Sequence, residues 1–221
     1  MDIIIAYAGS IGLRIFLDRH SSKNDNYVSE PLWYIPGDPY YTEAQWIADW
    51  VMLATRYANT PTVIGGDLWN EPKETSTWGT SSPATDWNGA ATRCGNAILA
   101  ANPHWLIIVE GVQYFAGVEN GWGSNLAGVA SLPIVLSSPA FTRQIVYSFH
   151  EYPASVVNRP IFSDPTYPAN MPPHWTTYWG YIFRQNIAPL LMGEFGTKLL
   201  TTVSILCCAA VQHTRTVLAS S

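Results

Sequence analysis

The sequence predicts an α/β fold built on a parallel sheet, and three observations carry that reading. Short apolar runs suited to buried strands alternate with helical stripes, and the order strand, helix, strand, helix implies parallel pairing. With 221 residues, 48% hydrophobic and only 12% charged, the chain suits one folded domain with a sizeable core. Two of the strands stop abruptly at a glutamate, beside a proline in one case and between glycines in the other.

Taken in order, residues 2 to 9 read as the end of a helix closed by Gly9, and Leu13 to Leu17 as the first strand, with His20 three residues beyond it. A histidine at that place, read alone, is a structural one. Residues 21 to 41 turn polar and then rich in Pro, Gly and Tyr, a long loop over the strand ends in which Trp33 is a candidate substrate platform. Thr42 and Gln45 form a capping box, and Trp46, Trp50, Leu53 and Tyr57 recur at helical spacing with Ile47, Val51 and Ala54 beside them, a core stripe. The strand of Thr62, Val63, Ile64 and Leu68 then runs into Asn70-Glu71-Pro72, where Pro72 cannot continue a ladder.

A loop from Lys73 to Thr85 leads to Asp86, the expected N-cap of a helix whose apolar face is Trp87, Ala90, Ala91, Cys94, Ala97, Ile98 and Ala101; Asn102-Pro103 ends it. Trp105 to Val109 is the next strand, delivering Glu110, read as a wall or structural residue. Residues 111 to 139 are glycine-rich and loop-dominated, with Trp122 near the middle. The strand of Arg143 to Phe149 ends in His150-Glu151-Tyr152, and alternation along a strand sends His150 and Tyr152 to one side and Glu151 to the other. A proline-rich loop over residues 153 to 173 precedes a short aromatic helix from His174 to Arg184. Ile187 to Met192 then runs into Gly193-Glu194-Phe195-Gly196. The strands therefore lie near 13 to 17, 63 to 69, 105 to 109, 144 to 149 and 188 to 193.

The formal net charge is -5 and Lys and Arg form no block, so neither nucleic acid nor an anionic membrane has an electrostatic hold on the chain; a neutral substrate fits better. The abundance of aromatics, 10 Trp and 12 Tyr, points the same way. Flat apolar sugar faces stack on exposed rings, and the loop tryptophans Trp33, Trp78 and Trp122 divide between that role and core filling. Cys94, Cys207 and Cys208 have neither disulfide-framework nor metal spacing. No basic segment precedes the apolar run of Met1 to Tyr7, so it does not read as a signal peptide, and there is neither an N-x-[ST] acceptor nor an apolar stretch near the ~20 residues of a membrane span.

Two glutamates at the ends of two parallel strands are the parts of a glycosidase, one to protonate the leaving oxygen and one to attack the sugar. Asn70-Glu71-Pro72 after one strand and Gly193-Glu194-Phe195-Gly196 after a later one resemble glycoside hydrolase family 5, the cellulase or endoglucanase family. Leu13 to His20, Val146 to Tyr152 and the segments Trp179-Gly180-Tyr181 and Gln185 to Pro189 extend the resemblance. The resemblance implies a (β/α)8 TIM-barrel fold, here partial: about five of the eight strands, the third to the seventh, in a catalytic domain over residues 1 to 200 with a divergent tail over 201 to 221. The arginine beside the family's nucleophile and its last stacking tryptophan fall outside the matching strands. It also implies Glu71 as acid/base and Glu194 as nucleophile of a retaining mechanism on a β-1,4-glucan. Asn70 would bind the sugar hydroxyl next to the scissile bond, and His20, His150 and Tyr152 would line the same subsite, with Trp33 as platform.

The same resemblance implies no cofactor and no metal, a polysaccharide substrate, a monomer, and an extracellular role in polysaccharide catabolism. Mannan, xylan and β-1,3-glucan enzymes share the two-glutamate logic, and the choice of glycan lies in loop contacts. Two other classes of function stand beside it. One is a carbohydrate-binding remnant that uses the aromatics without turnover. The other is a metal-dependent hydrolase built on His20, His150 and a carboxylate, against which the absence of H-x-H or H-E-x-x-H spacing weighs.

Overall fold

A computed structural model describes residues 1–24 and 30–198. The tail from residue 201, with Cys207 and Cys208, lies outside the described residues. In chain order the elements are α1 (Asp2–Ser10), β1 (Ile15–Asp18), α2 (Glu43–Arg56), β2 (Val63–Asp67), α3 (Trp87–Ala101), β3 (Leu106–Glu110), a hairpin of β4 (Tyr114–Phe115) and β5 (Val118–Glu119), β6 (Ile145–Glu151), α4 (Met171–Trp175), a π turn (Thr176–Gly180), α5 (Tyr181–Arg184) and β7 (Leu190–Phe195). The main sheet has five strands in the order β1-β2-β3-β6-β7. Every neighbouring pair is parallel. This is the expected partial barrel, with β1 and β7 as its two edges.

Parallel pairing decides where the chemistry sits, because it gathers the carboxyl ends of all strands along one edge of the sheet. Asp18 pairs with Asp67, Glu110 with Ser148, and His150 with Glu194. The last of these pairs falls just after an irregularity in the β6–β7 register that skips Gly193. A side chain at Gly193 would have its Cβ 2.5 Å from the Ser148 hydroxyl and 3.1 Å from His150 Nε2, so only glycine lets β7 pass this close to β6.

The helices are tied to the strand ends by tryptophan. Thr42 caps α2 by accepting the Gln45 amide at 3.1 Å, and Glu43 in the first turn and Arg56 in the last complement the helix dipole. The helix buries Trp46, Trp50 and Ala54, and both indoles donate to the Leu68 carbonyl, at 3.0 and 3.2 Å. That carbonyl belongs to the residue after β2, where the chain leaves the ladder and would otherwise strand a buried acceptor. Trp87, in the first turn of α3, treats the Glu110 carbonyl at the end of β3 in the same way, at 2.9 Å. Asp86 stands at the N-cap of α3 as expected, yet its carboxylate accepts from Gly79 and Ser81 at 2.7 and 2.9 Å, closing the preceding loop rather than capping the helix.

Other elements depart from expectation for local reasons. Gly12, at φ 78°, makes the left-handed turn after α1, not Gly9. The aromatic helix begins at Met171, three residues earlier than read, because Pro172 and Pro173 fall in the first turn, where a missing N–H costs nothing. It is also broken by the π turn before α5. The stretch 111 to 139 contains the β4–β5 hairpin, too short to leave a periodic signal.

Candidate active site

Glu71 is the fourth residue beyond the end of β2, and the backbone N–H of Asn70 before it donates to the Arg19 carbonyl at 3.1 Å. Its φ is 51°, in the left-handed region that a residue with a side chain adopts at a cost of about 1–3 kcal/mol. The turn is stabilised from the next strand, where a carboxylate oxygen of Glu110 accepts the Glu71 amide at 2.8 Å. The Glu71 side chain then reaches His150, with Oε1 2.9 Å from Nδ1. The same Nδ1 is 3.5 Å from Glu194 Oε2, and the opposite ring nitrogen faces Glu110 Oε1 at 3.3 Å. Tyr152 donates its hydroxyl to Glu194 Oε2 at 2.8 Å.

One oxygen of Glu71, one of Glu194 and a ring nitrogen of His150 lie within 4.8 Å of one another. These are also atoms a divalent cation could use. In this arrangement, however, His150 Nδ1 is already shared between the two carboxylates. The residues border a cavity of about 530 Å³ whose lining also includes Gln113, Glu119, Trp122, Val156, Val157 and Arg159. This is within the size range of small-molecule sites.

Charge in this cluster follows from burial and crowding. Burial alone would push the His150 imidazole down, but Glu110, Glu71 and Glu194 surround it and hold its pKa up at about 11. Burial raises the Glu110 carboxyl, opposed by His150. Asp67, buried beside Glu110 and Asp18, is raised well above the carboxylate range. The Tyr152 phenol is likewise raised, by burial and then by its bond to Glu194. Glu151 points the other way and is neutralised by Arg159, whose guanidinium donates to it at 2.6 Å. Burial raises the Glu151 carboxyl, while Arg159 and the indoles of Trp175 and Trp179 pull it back.

Of the residues singled out from sequence, Glu71, Glu194, His150 and Tyr152 come together on this cavity. Asn70 is buried directly before Glu71, and its side-chain amide nitrogen, Nδ2, has no hydrogen-bond partner among the described residues. His20 lies apart from the cavity lining, its side chain 56% exposed and paired with Asp18 at 2.8 Å. Trp33 is not a platform. It is 1% exposed, packs against Trp46 and Trp87, and donates its indole N–H to Glu43 at 2.8 Å, so no ring face is left for a ligand. Trp78 is buried too, bonded to the Leu132 carbonyl. Trp122 is 42% exposed and faces the cavity, and the ammonium of Lys73 sits 4.7 Å from its ring centroid. Glu110, read from sequence as a wall or structural residue, is 1% exposed and contacts the Glu71 amide and the His150 ring, two partners the sequence did not indicate. Nothing in the sequence pointed to Arg159.

The chain is 50% identical over 201 residues to an endoglucanase of Paenibacillus polymyxa, covering 90% of this chain and 49% of that protein. It is 41% identical over 202 residues to the major extracellular endoglucanase of Xanthomonas campestris, covering 90% and 40% respectively. The chain thus spans about half the length of the curated relatives it matches. Among solved structures, the catalytic domain of that Xanthomonas endoglucanase superposes with a TM-score of 0.86 at 37% identity, covering 97% of this chain and 61% of the other. A hyperthermophilic endocellulase from Pyrococcus horikoshii superposes with a TM-score of 0.85 at 34% identity, covering 96% and 60%. That endocellulase has also been solved in complex with cellotetraose. A family model described as cellulase, glycosyl hydrolase family 5, matches residues 1–219, and by that match and these relatives the chain belongs to the glycosyl hydrolase family 5 cellulases.

Proposed function

We propose that the chain carries the catalytic centre of an endo-β-1,4-glucanase that works by retention, with Glu71 as acid/base and Glu194 as nucleophile. The observation that carries this reading is the meeting of these two side chains, from β2 and β7, with oxygens within 4.8 Å across one open cavity. With one oxygen of each within 4.8 Å of the other, the pair stands closer than the roughly 6.5–9.5 Å between carboxyl groups that leaves room for a water in inverting enzymes, which supports retention. In the first step Glu71 gives its proton to the glycosidic oxygen while Glu194 attacks the anomeric carbon. In the second, Glu71 takes a proton from a water whose oxygen bonds to the anomeric carbon as the glycosyl–Glu194 bond breaks.

The surrounding groups fit these roles. Tyr152 ties down one oxygen of Glu194 and leaves the other to attack. His150, within reach of both carboxyl groups, favours the ionised form of whichever has given up its proton. The unpartnered amide nitrogen of Asn70 is a donor for the sugar hydroxyl beside the scissile bond, since a buried donor without a partner costs free energy until a ligand supplies one. Trp122 offers the stacking face. Secretion and a part in polysaccharide breakdown follow as expectations from the extracellular Xanthomonas relative. The test is release of reducing ends from a soluble cellulose derivative by the wild-type chain and by Glu71→Gln and Glu194→Gln. Loss of at least about 10³-fold in each, with unchanged circular dichroism, is expected if both groups react; persistence of activity in Glu194→Gln refutes the assignment, and soluble glucan binding without turnover in the wild type selects a binding remnant.

A further inference from the structure

We propose that Glu110 is a positioning residue for the site, one carboxylate oxygen fixing the turn that presents Glu71 and the other fixing the His150 ring between Glu71 and Glu194. The proposal rests on the functional reading above and extends it to a residue that does not touch the cavity. Glu110 ends β3, between the strands that deliver the two reacting groups. Its Oε2 accepts the amide of Glu71, the residue held at φ 51°. Its Oε1 faces His150 Nε2 at 3.3 Å, which turns Nδ1 toward Glu71 and Glu194. A single buried carboxylate therefore sets both the backbone under the acid/base and the orientation of the ring shared by both carboxylates.

The packing around Glu110 is specific to this arrangement. The loop carrying Trp122 passes over it at Gly123, whose φ is 70° and where an added Cβ would lie 2.5 Å from Glu110 Oε2 and 3.3 Å from His150 Nδ1. Gly111, the next residue after Glu110, exchanges a backbone bond with the same Gly123. Water is thus kept from the carboxylate by backbone rather than by a movable side chain. The charged groups bearing on His150 come from every neighbouring strand end: Asp18 at the end of β1, Asp67 and Glu71 at and after the end of β2, Glu110 on β3 and Glu194 on β7. Glu110 alone among them contacts both Glu71 and His150 from the buried side.

Glu110→Gln separates the two jobs, because the amide oxygen can still accept the Glu71 N–H while the negative charge opposite His150 is lost. The expected result is a folded protein in which kcat falls about 10- to 100-fold with little change in KM, and in which the alkaline limb of the kcat/KM profile moves to lower pH. ¹⁵N-histidine NMR of the same variant should show the His150 ring losing its proton at lower pH than in the wild type. Gly123→Ala, which crowds Glu110 without removing any charge, should shift both readouts in the same direction. A Glu110→Gln variant with wild-type kcat, pH profile and His150 titration overturns the proposal. If Glu110→Gln does not fold, a wild-type His150 ring whose Nε2 carries no proton at pH 7 overturns it. If the wild-type chain hydrolyses no glucan, the functional reading fails, while the His150 titration still decides the role of Glu110.

Discussion

Replacing Trp33 by alanine tests how burial sorts the loop tryptophans. The ring lies 5.4 Å from the centroid of Trp87 and 6.2 Å from that of Trp46, at tilted angles, and its N–H donates to Glu43, which also receives two bonds from Arg93. Truncating a fully buried tryptophan costs about 3–5 kcal/mol. For a domain of this size each kcal/mol lowers the melting temperature by about 2–4 °C, so Trp33→Ala should melt about 6–20 °C below wild type. Thermal unfolding followed by circular dichroism measures this directly, and KM for a soluble β-1,4-glucan, taken well below the new melting point, should stay within about twofold. A variant with an unchanged melting temperature and a KM raised tenfold would refute the reasoning and restore Trp33 as a substrate platform.

Three further outcomes follow from the same contacts. Trp122→Ala should leave the melting temperature nearly unchanged and raise KM about 2- to 12-fold, the equivalent of about 0.5–1.5 kcal/mol of ring contact, measured by steady-state kinetics. Tyr152→Phe removes a hydrogen bond to a charged carboxylate worth about 1.5–3 kcal/mol, so kcat should fall about 10- to 150-fold with the fold intact, checked on the same substrate. His174, in α4, is held down at a pKa of about 4 by burial and then by Arg159, so it is neutral in the fold and gains a proton more easily when unfolded. The unfolded chain therefore binds more protons between about pH 6.5 and 4, stability falls as pH drops through that window, and the loss of urea midpoint should be smaller in His174→Gln.

The fold and the meeting of Glu71, Glu194, His150 and Tyr152 on one cavity were legible where local chemistry and long-range placement agree. Glu71 and Glu194 stand out because Pro72 and the glycines around Glu194 mark strand ends, and a parallel sheet gathers such ends without further instruction. His150, in β6, and Tyr152, one residue past its end, were placed on one side by alternation, and both line the cavity while Glu151 between them does not. Trp33 was misread because a loop rich in Pro, Gly and Tyr says nothing about which way it folds, and this one returns its indole to the space between α2 and α3. Glu110 was readable as a wall or structural residue but its partners were not: the Glu71 amide is 39 residues away, and no spacing rule links a strand-end carboxylate to a turn on the neighbouring strand. The early start of α4 was hidden by prolines that discourage a helix anywhere except its first turn.

The stereochemistry of the first product tests the central claim most directly. Proton NMR of a β-1,4-linked glucose oligosaccharide during the first minutes of hydrolysis should show the new reducing end appearing as the β anomer, with the α anomer growing in only by mutarotation. First appearance of the α anomer would mean that water, and not Glu194, attacks the sugar, and would contradict the account.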